Sequence, residues 1–203
     1  MYIAIAGNIG SGKTTLTRLL ADCYGWTPYY EPAVENPYIE DYYRDIPRWA
    51  FPMEVFYLRH RFANLLRISR STETIIQDRT IFEGAYVFAT NNYRQGNLSE
   101  RDYQTYMGLF ESMMAVAQQP ALLIYLKASV PHLVDNIQRR GRGFEQNIPI
   151  AYLQGLNELY EQFINERYHG PLLAVDADAT DFEHRPGDFA HITRLIDARL
   201  SPR

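Results

Sequence analysis

Residues 7–15 read GNIGSGKTT and fit the phosphate-binding pattern G-x-x-x-x-G-K-[ST]. An apolar run precedes the stretch and an amphipathic one follows it, which is the strand–loop–helix context that the pattern requires. Glycines allow the backbone angles that turn successive N–H groups inward, and the following helix N-terminus adds donors for anionic oxygens. We therefore predict a nucleotide-binding loop whose contacts are Gly7, Asn8, Ile9, Gly10, Ser11, Gly12, Lys13, Thr14 and Thr15.

The polar residues that follow Gly12 predict chemistry at the phosphates. Lys13 would reach the β- and γ-phosphates of ATP, and the Thr14 hydroxyl would bind Mg²⁺. The loop alone fits an ATPase, a GTPase or a kinase, but the sequence has no N-K-x-D segment for reading guanine, which disfavours a GTPase. A kinase also needs an acceptor site, a group for the acceptor's proton, and cations over the transferred phosphate.

Apolar runs and helical patterns alternate along the chain. Runs with the length of buried strands are YIAIA (2–6), TIIQD (74–78), LLIYL (122–126), PLLAVD (171–176) and the weaker TPYYE (27–31). Helices are predicted from Lys13 to about Gly25, over about 50–70, after Ser99, and over about 130–139, 149–168 and 186–199. The alternation predicts an α/β fold of the P-loop NTPase type, with a parallel five-stranded sheet flanked by helices.

Composition and charge fit one ordinary globular domain. Of the 203 residues 46% are apolar and 22% are charged, and the net charge of −4 argues against a nucleic-acid partner. The 16 Tyr and 10 Phe fit core packing or a pocket that stacks a flat ring. Cys23 is the one cysteine, so we expect no disulfide framework and a cytoplasmic location. No run approaches about 18 apolar residues, and the loop begins at Gly7, so neither a membrane partner nor a signal peptide is expected.

Charged residues follow two of the predicted strands, at the edge where open parallel sheets bind ligands. Glu31 ends the weak strand and is suited to accept a hydroxyl proton, the alternative being a loop carboxylate that meets solvent. Asp78 is suited to hold Mg²⁺, and Arg79 to pair with a phosphate or to orient Glu31. A purely structural Asp–Arg pair is the alternative for these two residues.

A basic stretch, QRRGRGFEQ (138–146), follows a predicted helix and contains two glycines. Arg139, Arg140 and Arg142 on such a loop are typical of a lid that closes over phosphates. We place this lid at about 139–148. A basic surface turn or a nucleic-acid contact is the alternative.

Six stretches together resemble the deoxyribonucleoside kinases, particularly the bacterial deoxyadenosine/deoxyguanosine kinase group. They are GNIGSGKTT, EPAVENPY, YRDIPRWAFPMEVFYLRHRF, DRTIFEGAYVFA, RGRGFEQNIPIAYLQGLNELYEQF and VDADATDF, in the family's order and nearly its spacing. The resemblance implies a single deoxynucleoside kinase domain over 1–203. It also implies nucleotide salvage by ATP- and Mg²⁺-dependent phosphorylation of a deoxyribonucleoside 5′-hydroxyl, with a homodimer and feedback binding of a deoxynucleoside triphosphate.

The resemblance also implies roles for individual residues. Glu31 is implied to contact the 5′-hydroxyl and is our choice as general base, with Arg79 as its partner and Lys13 at the phosphates. Asp78, where the family commonly has Glu, is implied in Mg²⁺ binding and is the alternative base. The further contacts implied are Tyr43 and Glu145 for the sugar 3′-hydroxyl, Arg140 and Arg142 for the phosphates, Asp181 and Phe182 after Thr180 for the ATP base, and Phe82 and Gly84 for the nucleoside.

Glu54 and Arg61 match the family's base-reading pair. Seven residues separate them, so they face one way about 10 Å apart, too far for a salt bridge but wide enough to bracket a base. The family commonly has Gln where this chain has Glu54, and an ionised Glu offers acceptors to the adjacent N1–H and N2–H₂ donors of guanine. Arg61 suits guanine O6 or N7. We therefore predict a purine preference with deoxyguanosine favoured and deoxyadenosine as the alternative.

Gly84 is a second departure, because many relatives carry Asp there. We expect this loss to free Arg61 from a competing carboxylate and to open space for a purine. Two rival classes remain, a nucleoside monophosphate kinase of the thymidylate kinase type and a regulatory nucleotide-binding protein with a dead site. Glu31 disfavours the first because it would repel an acceptor phosphate, and the intact Lys13 and Thr14 speak against the second.

Overall fold

The computed structural model describes residues 1–31, 36–142 and 148–201. Within these ranges one sheet contains β1 (Tyr2–Gly7), β2 (Thr27–Tyr29), β3 (Ile75–Asp78), β4 (Leu122–Lys127) and β5 (Leu172–Asp176). The strand order is β2-β3-β1-β4-β5, and every neighbouring pair is parallel. The predicted parallel five-stranded sheet is therefore confirmed.

The strand order places the phosphate loop in a crevice. From β1, in the centre, the chain builds β2 and β3 on one side and β4 and β5 on the other. Ligands of open parallel sheets bind outside the carboxyl ends of the strands where the order reverses in this way. The loop that follows β1 lies at this point, and Asp78 is the last residue of the adjacent β3.

The helices of the described ranges agree with most of the sequence predictions. They are α1 (Lys13–Tyr24), α2 (Ile39–Arg44), α3 (Ile46–Ile68), α4 (Ile81–Glu83), α5 (Thr90–Arg94), α6 (Glu100–Met114), α7 (Val130–Arg140), α8 (Ile150–Gln162) and α9 (Pro186–Leu200). π-Helical turns over Gly84–Ala89 join α4 to α5, and others over Phe163–Arg167 extend α8. The helix predicted after Ser99 is α6, and the Ser99 side chain caps it by accepting a hydrogen bond from the Asp102 N–H.

The differences from the sequence predictions have local causes. The long helix α3 begins at Ile46 rather than near 50 because the Asp45 side chain caps it by accepting from the Arg48 N–H. Two helical regions are not predicted from the sequence. They are α2, which has only six residues, and the segment 81–94, whose π turns break the 3.6-residue period. The strand β2 ends at Tyr29, so Glu31 lies just beyond the strand rather than at its end.

Both faces of the sheet are buried, as is usual for parallel sheets. Along β1 the side chains alternate, so that Tyr2, Ala4 and Ala6 face a core that includes residues of α3, α6 and α8. Ile3 and Ile5 face the opposite core, which α1 and α9 cover. Within the described ranges no helix combines the length and apolar character needed to cross a bilayer.

Candidate active site

The phosphate loop depends on glycine at two positions. Gly10 and Gly12 have φ values of 86° and 89°, in the region that other residues rarely adopt. A Cβ on Gly10 would lie 2.7 Å from the Leu133 backbone oxygen, and one on Gly12 would lie 2.9 Å from Cζ of Phe182. The loop therefore packs closely against α7 and Phe182, and it retains its concave shape only with glycine at both positions.

Lys13 is buried at the start of α1. Its Nζ donates a hydrogen bond to the Asn8 backbone oxygen, 2.8 Å away. Burial and the nearby Arg79 charge together lower the pKa of Lys13 to about 7, against the opposing effect of the Asp78 and Glu83 carboxylates. An anion beside Nζ favours the ammonium form. Lys13 is therefore best stabilised as a cation when anionic oxygens occupy the loop.

Thr14 and Asp78 join the phosphate loop to the end of β3. Thr14 Oγ1 donates to Asp78 Oδ2 at 2.5 Å. Burial raises the pKa of Asp78, while the Lys13 charge and the Thr14 hydrogen bond oppose that rise. A hydroxyl and a carboxylate fit Mg²⁺, which takes few protein oxygens and keeps several waters. The described part of the chain has no group of three or more His, Cys, Asp or Glu side chains placed to hold a metal by themselves.

Glu31 lies between two arginines that come from different elements. Arg61 of α3 donates to Oε1 from Nε at 2.8 Å and from Nη2 at 2.5 Å, and Arg79 Nε lies 2.8 Å from Oε2. Burial alone would raise the pKa of Glu31, but the two arginines outweigh it and lower this pKa below its ordinary value. The carboxylate is 17% exposed and paired on both oxygens, so it is not a loop residue that merely meets solvent.

Arg79 has a strained backbone that several contacts stabilise. Its φ of 70° is a conformation that costs a non-glycine residue about 1–3 kcal/mol. The Arg79 N–H donates to the Ile5 carbonyl oxygen at 2.9 Å, Nη1 donates to Tyr160 Oη at 2.9 Å, and the guanidinium lies 4.6 Å from the ring centre of Phe88. Strain of this kind is common at active sites, where the surrounding structure holds a reactive group in place.

A buried network connects Arg79 to the phosphate loop. Tyr160 Oη lies 2.7 Å from the Gly7 carbonyl oxygen and 2.8 Å from Glu83 Oε1, and the same Glu83 oxygen accepts from the Gly7 N–H at 3.2 Å. Glu83 Oε2 accepts from the Thr80 N–H at 2.6 Å, which completes a capping box. Neither Glu83 nor Tyr160 is among the residues predicted from the sequence. The T-x-x-E spacing of Thr80 and Glu83 was a usable signal, whereas Tyr160 lies 153 residues from Gly7 and has none.

A cavity of about 280 Å³ lies beside the phosphate loop. Its wall includes predicted polar residues from six parts of the chain, namely Lys13, Thr14, Glu31, Tyr43, Glu54, Arg61, Asp78, Arg79, Arg140 and Arg142. Besides Tyr43, its aromatic wall includes five residues that the sequence patterns do not indicate, namely Tyr30, Tyr42, Tyr57, Phe88 and Tyr152. Aromatic content alone suggested such a wall but not its members, because tertiary packing decides which rings face the cavity.

Glu54 is held by a second buried hydrogen-bond network. Asn92 Nδ2 donates to Glu54 Oε1 at 2.9 Å, and Asn92 Oδ1 accepts from the Tyr42 hydroxyl at 3.1 Å. Burial raises the pKa of Glu54 to about 7, although the Arg61 charge and the Asn92 hydrogen bond act against that rise. Because Oε1 accepts from Asn92, a proton on this carboxyl group belongs on Oε2. Glu54 can therefore present either an acceptor or a donor to the cavity near neutral pH.

The expectation for Gly84 was wrong in both of its parts. Arg61 is not free of a competing carboxylate, because Glu31 holds its Nε and Nη2. The space at Gly84 is not open for a purine either, because Arg61 Nη1 lies 2.4 Å from the position that a Cβ of Gly84 would take. The missing side chain thus accommodates the arginine itself.

Phe82 does not contact the cavity as the resemblance implied. Its ring packs in an aromatic cluster in the core with Tyr86, Phe110, Phe163 and Tyr168. Phe88, six residues further along, faces the cavity instead. The π-helical turns between them change the spacing by which residues of this segment share a face, so a regular helical count misassigns it.

A second cavity of about 560 Å³ lies on the other side of the phosphate loop. Its wall includes Ser11, Gly12 and Thr15 of the loop together with Thr180, Asp181 and Phe182 after β5. Arg140 and Arg142 line both cavities. Residues 143–147 of the predicted lid, Glu145 among them, lie outside the described residues.

This site has three features: a phosphate loop at the centre of the sheet, carboxylates paired with arginines at one sheet edge, and a cavity beside them. Together they define a P-loop phosphotransferase. A family model described as deoxynucleoside kinase matches residues 3–200. The chain belongs to the deoxynucleoside kinase family, whose members phosphorylate deoxynucleosides.

Individual relatives agree with this membership. The chain is 33% identical over 196 residues to a deoxyadenosine/deoxycytidine kinase of Bacillus subtilis (strain 168), covering 96% of this chain and 90% of the relative. It is also 33% identical over 207 residues to a deoxyguanosine kinase of the same organism, covering 96% and 97%. A structure of deoxyadenosine kinase from M. mycoides with bound dATP matches with a TM-score of 0.86 and 31% identity, covering 97% of this chain and 99% of that one. The resemblance to the deoxyribonucleoside kinases is thereby confirmed. The relatives are named for different deoxynucleosides, so their names do not identify the base.

Proposed function

We propose that this kinase transfers the γ-phosphoryl group of ATP to the 5′-hydroxyl of a deoxyribonucleoside, with deoxyguanosine preferred. The observation that carries the proposal is that the two cavities share one wall. Gly10, Lys13, Thr14, Arg140 and Arg142 line both. A donor nucleotide in the larger cavity and an acceptor in the smaller one would meet at the cations Lys13, Arg140 and Arg142, which is the arrangement that phosphoryl transfer requires.

Glu31 is our proposed general base. Its carboxylate accepts the 5′-hydroxyl proton while the 5′-oxygen bonds to the γ-phosphorus and the bond from that phosphorus to the β–γ bridging oxygen breaks, releasing ADP. Arg79 holds Glu31 in place, and Lys13 stabilises charge on the phosphate oxygens. Thr14 and Asp78 would hold Mg²⁺, which supplies further charge neutralisation at the phosphates.

The nucleoside is proposed to lie along the smaller cavity. Tyr43 lines this cavity and is our proposed contact for the sugar 3′-hydroxyl, together with Glu145 of the undescribed segment. Glu54 is the proposed base reader, because it is the buried carboxylate on α3 whose partner is an amide rather than an arginine. Ionised, Glu54 offers acceptors to the N1–H and N2–H₂ groups of guanine. Asp181 and Phe182 are proposed to contact the ATP base.

Replacing Glu54 with Gln is expected to turn the preference towards deoxyadenosine. The amide supplies a donor for adenine N1, and it loses the paired acceptors for guanine. We expect the ratio of kcat/KM for deoxyguanosine to that for deoxyadenosine to fall by roughly tenfold or more. The exposed Glu73→Gln serves as the matched control and should leave the ratio unchanged. A ratio that stays constant in Glu54→Gln would assign base recognition to other residues.

The base preference of the unmodified enzyme is expected to depend on pH. Because burial raises the pKa of Glu54 to about 7, the carboxyl group is protonated below that pH and ionised above it. The ionised form suits guanine and the protonated form suits adenine, so the kcat/KM ratio of deoxyguanosine to deoxyadenosine should rise as the pH increases through about 7. Taking the ratio cancels pH effects common to both substrates. A ratio that falls with rising pH, or one that rises equally in Glu54→Gln, would contradict this assignment.

Two measurements separate the proposal from its rivals. A nucleoside monophosphate kinase would phosphorylate thymidylate faster than any nucleoside, whereas Glu31 should repel an acceptor phosphate. A regulatory protein with a dead site would bind ATP without consuming it. We expect ATP consumption that requires an added deoxyribonucleoside and yields its 5′-monophosphate, with little turnover of thymidylate.

We further propose a single catalytic domain over 1–203, a homodimer in the cytoplasm and feedback inhibition by a deoxynucleoside triphosphate. The domain proposal is supported by the family match over residues 3–200. The feedback proposal is supported by the structures of M. mycoides deoxyadenosine kinase that contain dCTP and dATP. Sedimentation tests the homodimer, and inhibition by dGTP that is competitive with nucleoside or ATP tests the feedback.

A further inference from the structure

Arg61 joins two parts of the site that have separate tasks. It lies on α3 two turns from the proposed base reader Glu54, and it donates two hydrogen bonds to Oε1 of the proposed general base Glu31, at 2.8 and 2.5 Å. A carboxylate oxygen has about two lone-pair positions, so Arg61 occupies both positions of Oε1. Arg79 occupies one position of Oε2. Glu31 in this state keeps a single position for a further donor.

The same edge of the Arg61 guanidinium would donate hydrogen bonds either to Glu31 or to the nucleobase. Nη1 is buried and has no hydrogen-bond partner among the described residues. It lies against Gly84, which is not part of the cavity wall. The edge of Arg61 that faces the cavity is therefore the one formed by Nε and Nη2, and Glu31 already holds that edge.

We infer that Arg61 couples recognition of the base to the reactivity of Glu31. A base acceptor that takes the Nε–Nη2 edge of Arg61 releases Oε1 of Glu31, which then accepts the 5′-hydroxyl. This inference rests on the proposed function, because it requires a nucleoside that reaches both residues. A nucleoside without the acceptor leaves the carboxylate paired with both arginines, where it is a weaker base. Arg61 is thus a positioning residue that acts on kcat through Glu31, and not a contact that acts on KM alone.

Single-turnover rates with three nucleosides test the coupling in the unmodified enzyme. Against deoxyguanosine, 7-deaza-2′-deoxyguanosine lacks N7 and 6-thio-2′-deoxyguanosine has a weaker acceptor in place of O6, while both keep the N1–H and amino donors for Glu54. At saturating nucleoside we expect at least one analogue to accept the phosphoryl group roughly tenfold more slowly than deoxyguanosine. Two analogues that bind more weakly but react at the deoxyguanosine rate would overturn the inference.

An Arg61→Met variant supplies the second test. Without the arginine, the rates for deoxyguanosine and the slow analogue should agree within about a factor of two. The control Glu54→Gln alters the base contact but leaves Arg61 on Glu31, so the difference in rate should persist there. The base-free acceptor 1,2-dideoxyribose, whose five-membered ring leaves the 5-hydroxyl free, should react faster with Arg61→Met than with the unmodified enzyme. A slower reaction in a variant with unchanged thermal unfolding would overturn the inference.

The failure of this inference is distinct from the failure of the proposed function. An enzyme that forms no 5′-monophosphate from deoxyguanosine refutes both. An enzyme that forms it readily, with both analogues at the same rate, refutes only the coupling through Arg61. If Arg61→Met does not fold, the rates of the unmodified enzyme with deoxyguanosine and the two analogues still test the coupling.

Discussion

An enzyme in which Gln replaces Glu31 is expected to form deoxyguanosine monophosphate roughly 10²–10⁴-fold more slowly than the unmodified enzyme. Gln retains the size of the side chain and accepts a hydrogen bond from Arg61 or Arg79, but its amide does not take the 5′-hydroxyl proton. The loss should appear in kcat, because the proton moves in the transition state. Single-turnover formation of the monophosphate at saturating ATP and nucleoside measures it directly.

Folding and chemistry must be separated in the Glu31→Gln variant. The substitution removes the carboxylate that both buried arginines contact, and an uncompensated buried charge destabilises a protein by several kcal/mol, about 3–5. ATP binding and thermal unfolding therefore accompany the kinetics. Glu161→Gln is the matched control, because Glu161 is half-buried, pairs with Lys127 and lines neither cavity, so the change should leave kcat unchanged. A folded Glu31→Gln enzyme that keeps more than about a tenth of its kcat would point to Asp78 as the base, and Asp78→Asn would then be the inactive variant.

Replacing Lys13 with Met is expected to have the second large effect. Lys13 Nζ lies inside the phosphate loop, where it donates to the Asn8 carbonyl oxygen. Removing one preorganised donor that stabilises charge developing in a transition state typically costs about 10²–10³-fold in rate. We therefore expect kcat/KM for ATP to fall by roughly that factor. Steady-state kinetics with varied ATP at saturating deoxyguanosine measure the change.

Stability distinguishes a chemical role of Lys13 from a structural one. Burial lowers the pKa of Lys13 to about 7, so the folded protein without a nucleotide gains little from the charged form. Met at this position should leave the free energy of unfolding unchanged or raise it. Lys127→Met is the control, since Lys127 pairs with Glu161 at an exposed site. Unchanged ATP kinetics in a folded Lys13→Met enzyme would contradict the assignment of the phosphate loop.

The sheet and the phosphate loop followed from local patterns. Each buried strand is an apolar run of a few residues, and the loop needs Gly10 and Gly12 because of backbone angles that any chain must satisfy there. Such features depend on neighbours in sequence, so a single sequence predicts them well. The short helix α2 and the π-helical turns after α4 escaped because neither carries a regular period.

The sequence indicates which residues line the candidate site better than it indicates which of them bond to one another. Glu31, Arg61 and Arg79 were each recognised, but the bonds from both arginines to one carboxylate depend on tertiary packing. The same limit applies to Asn92, which holds Glu54 from 38 residues away, and to Tyr160, which contacts Gly7 across the fold. Phe82 and Phe88 show that the direction of a side chain is equally hard to predict. The π-helical turns between them decide which ring reaches the cavity.

The central claim is a deoxynucleoside kinase in which Glu54 selects the base. Its most direct test is kcat/KM for deoxyguanosine, deoxyadenosine, deoxycytidine and thymidine, measured with ATP and Mg²⁺ at a pH above the pKa of Glu54, which is about 7. We expect deoxyguanosine to have the highest kcat/KM. Deoxyadenosine should have a lower kcat/KM than deoxyguanosine, and the difference should shrink as the pH falls. A higher kcat/KM for deoxyadenosine or deoxycytidine under these conditions would contradict the account.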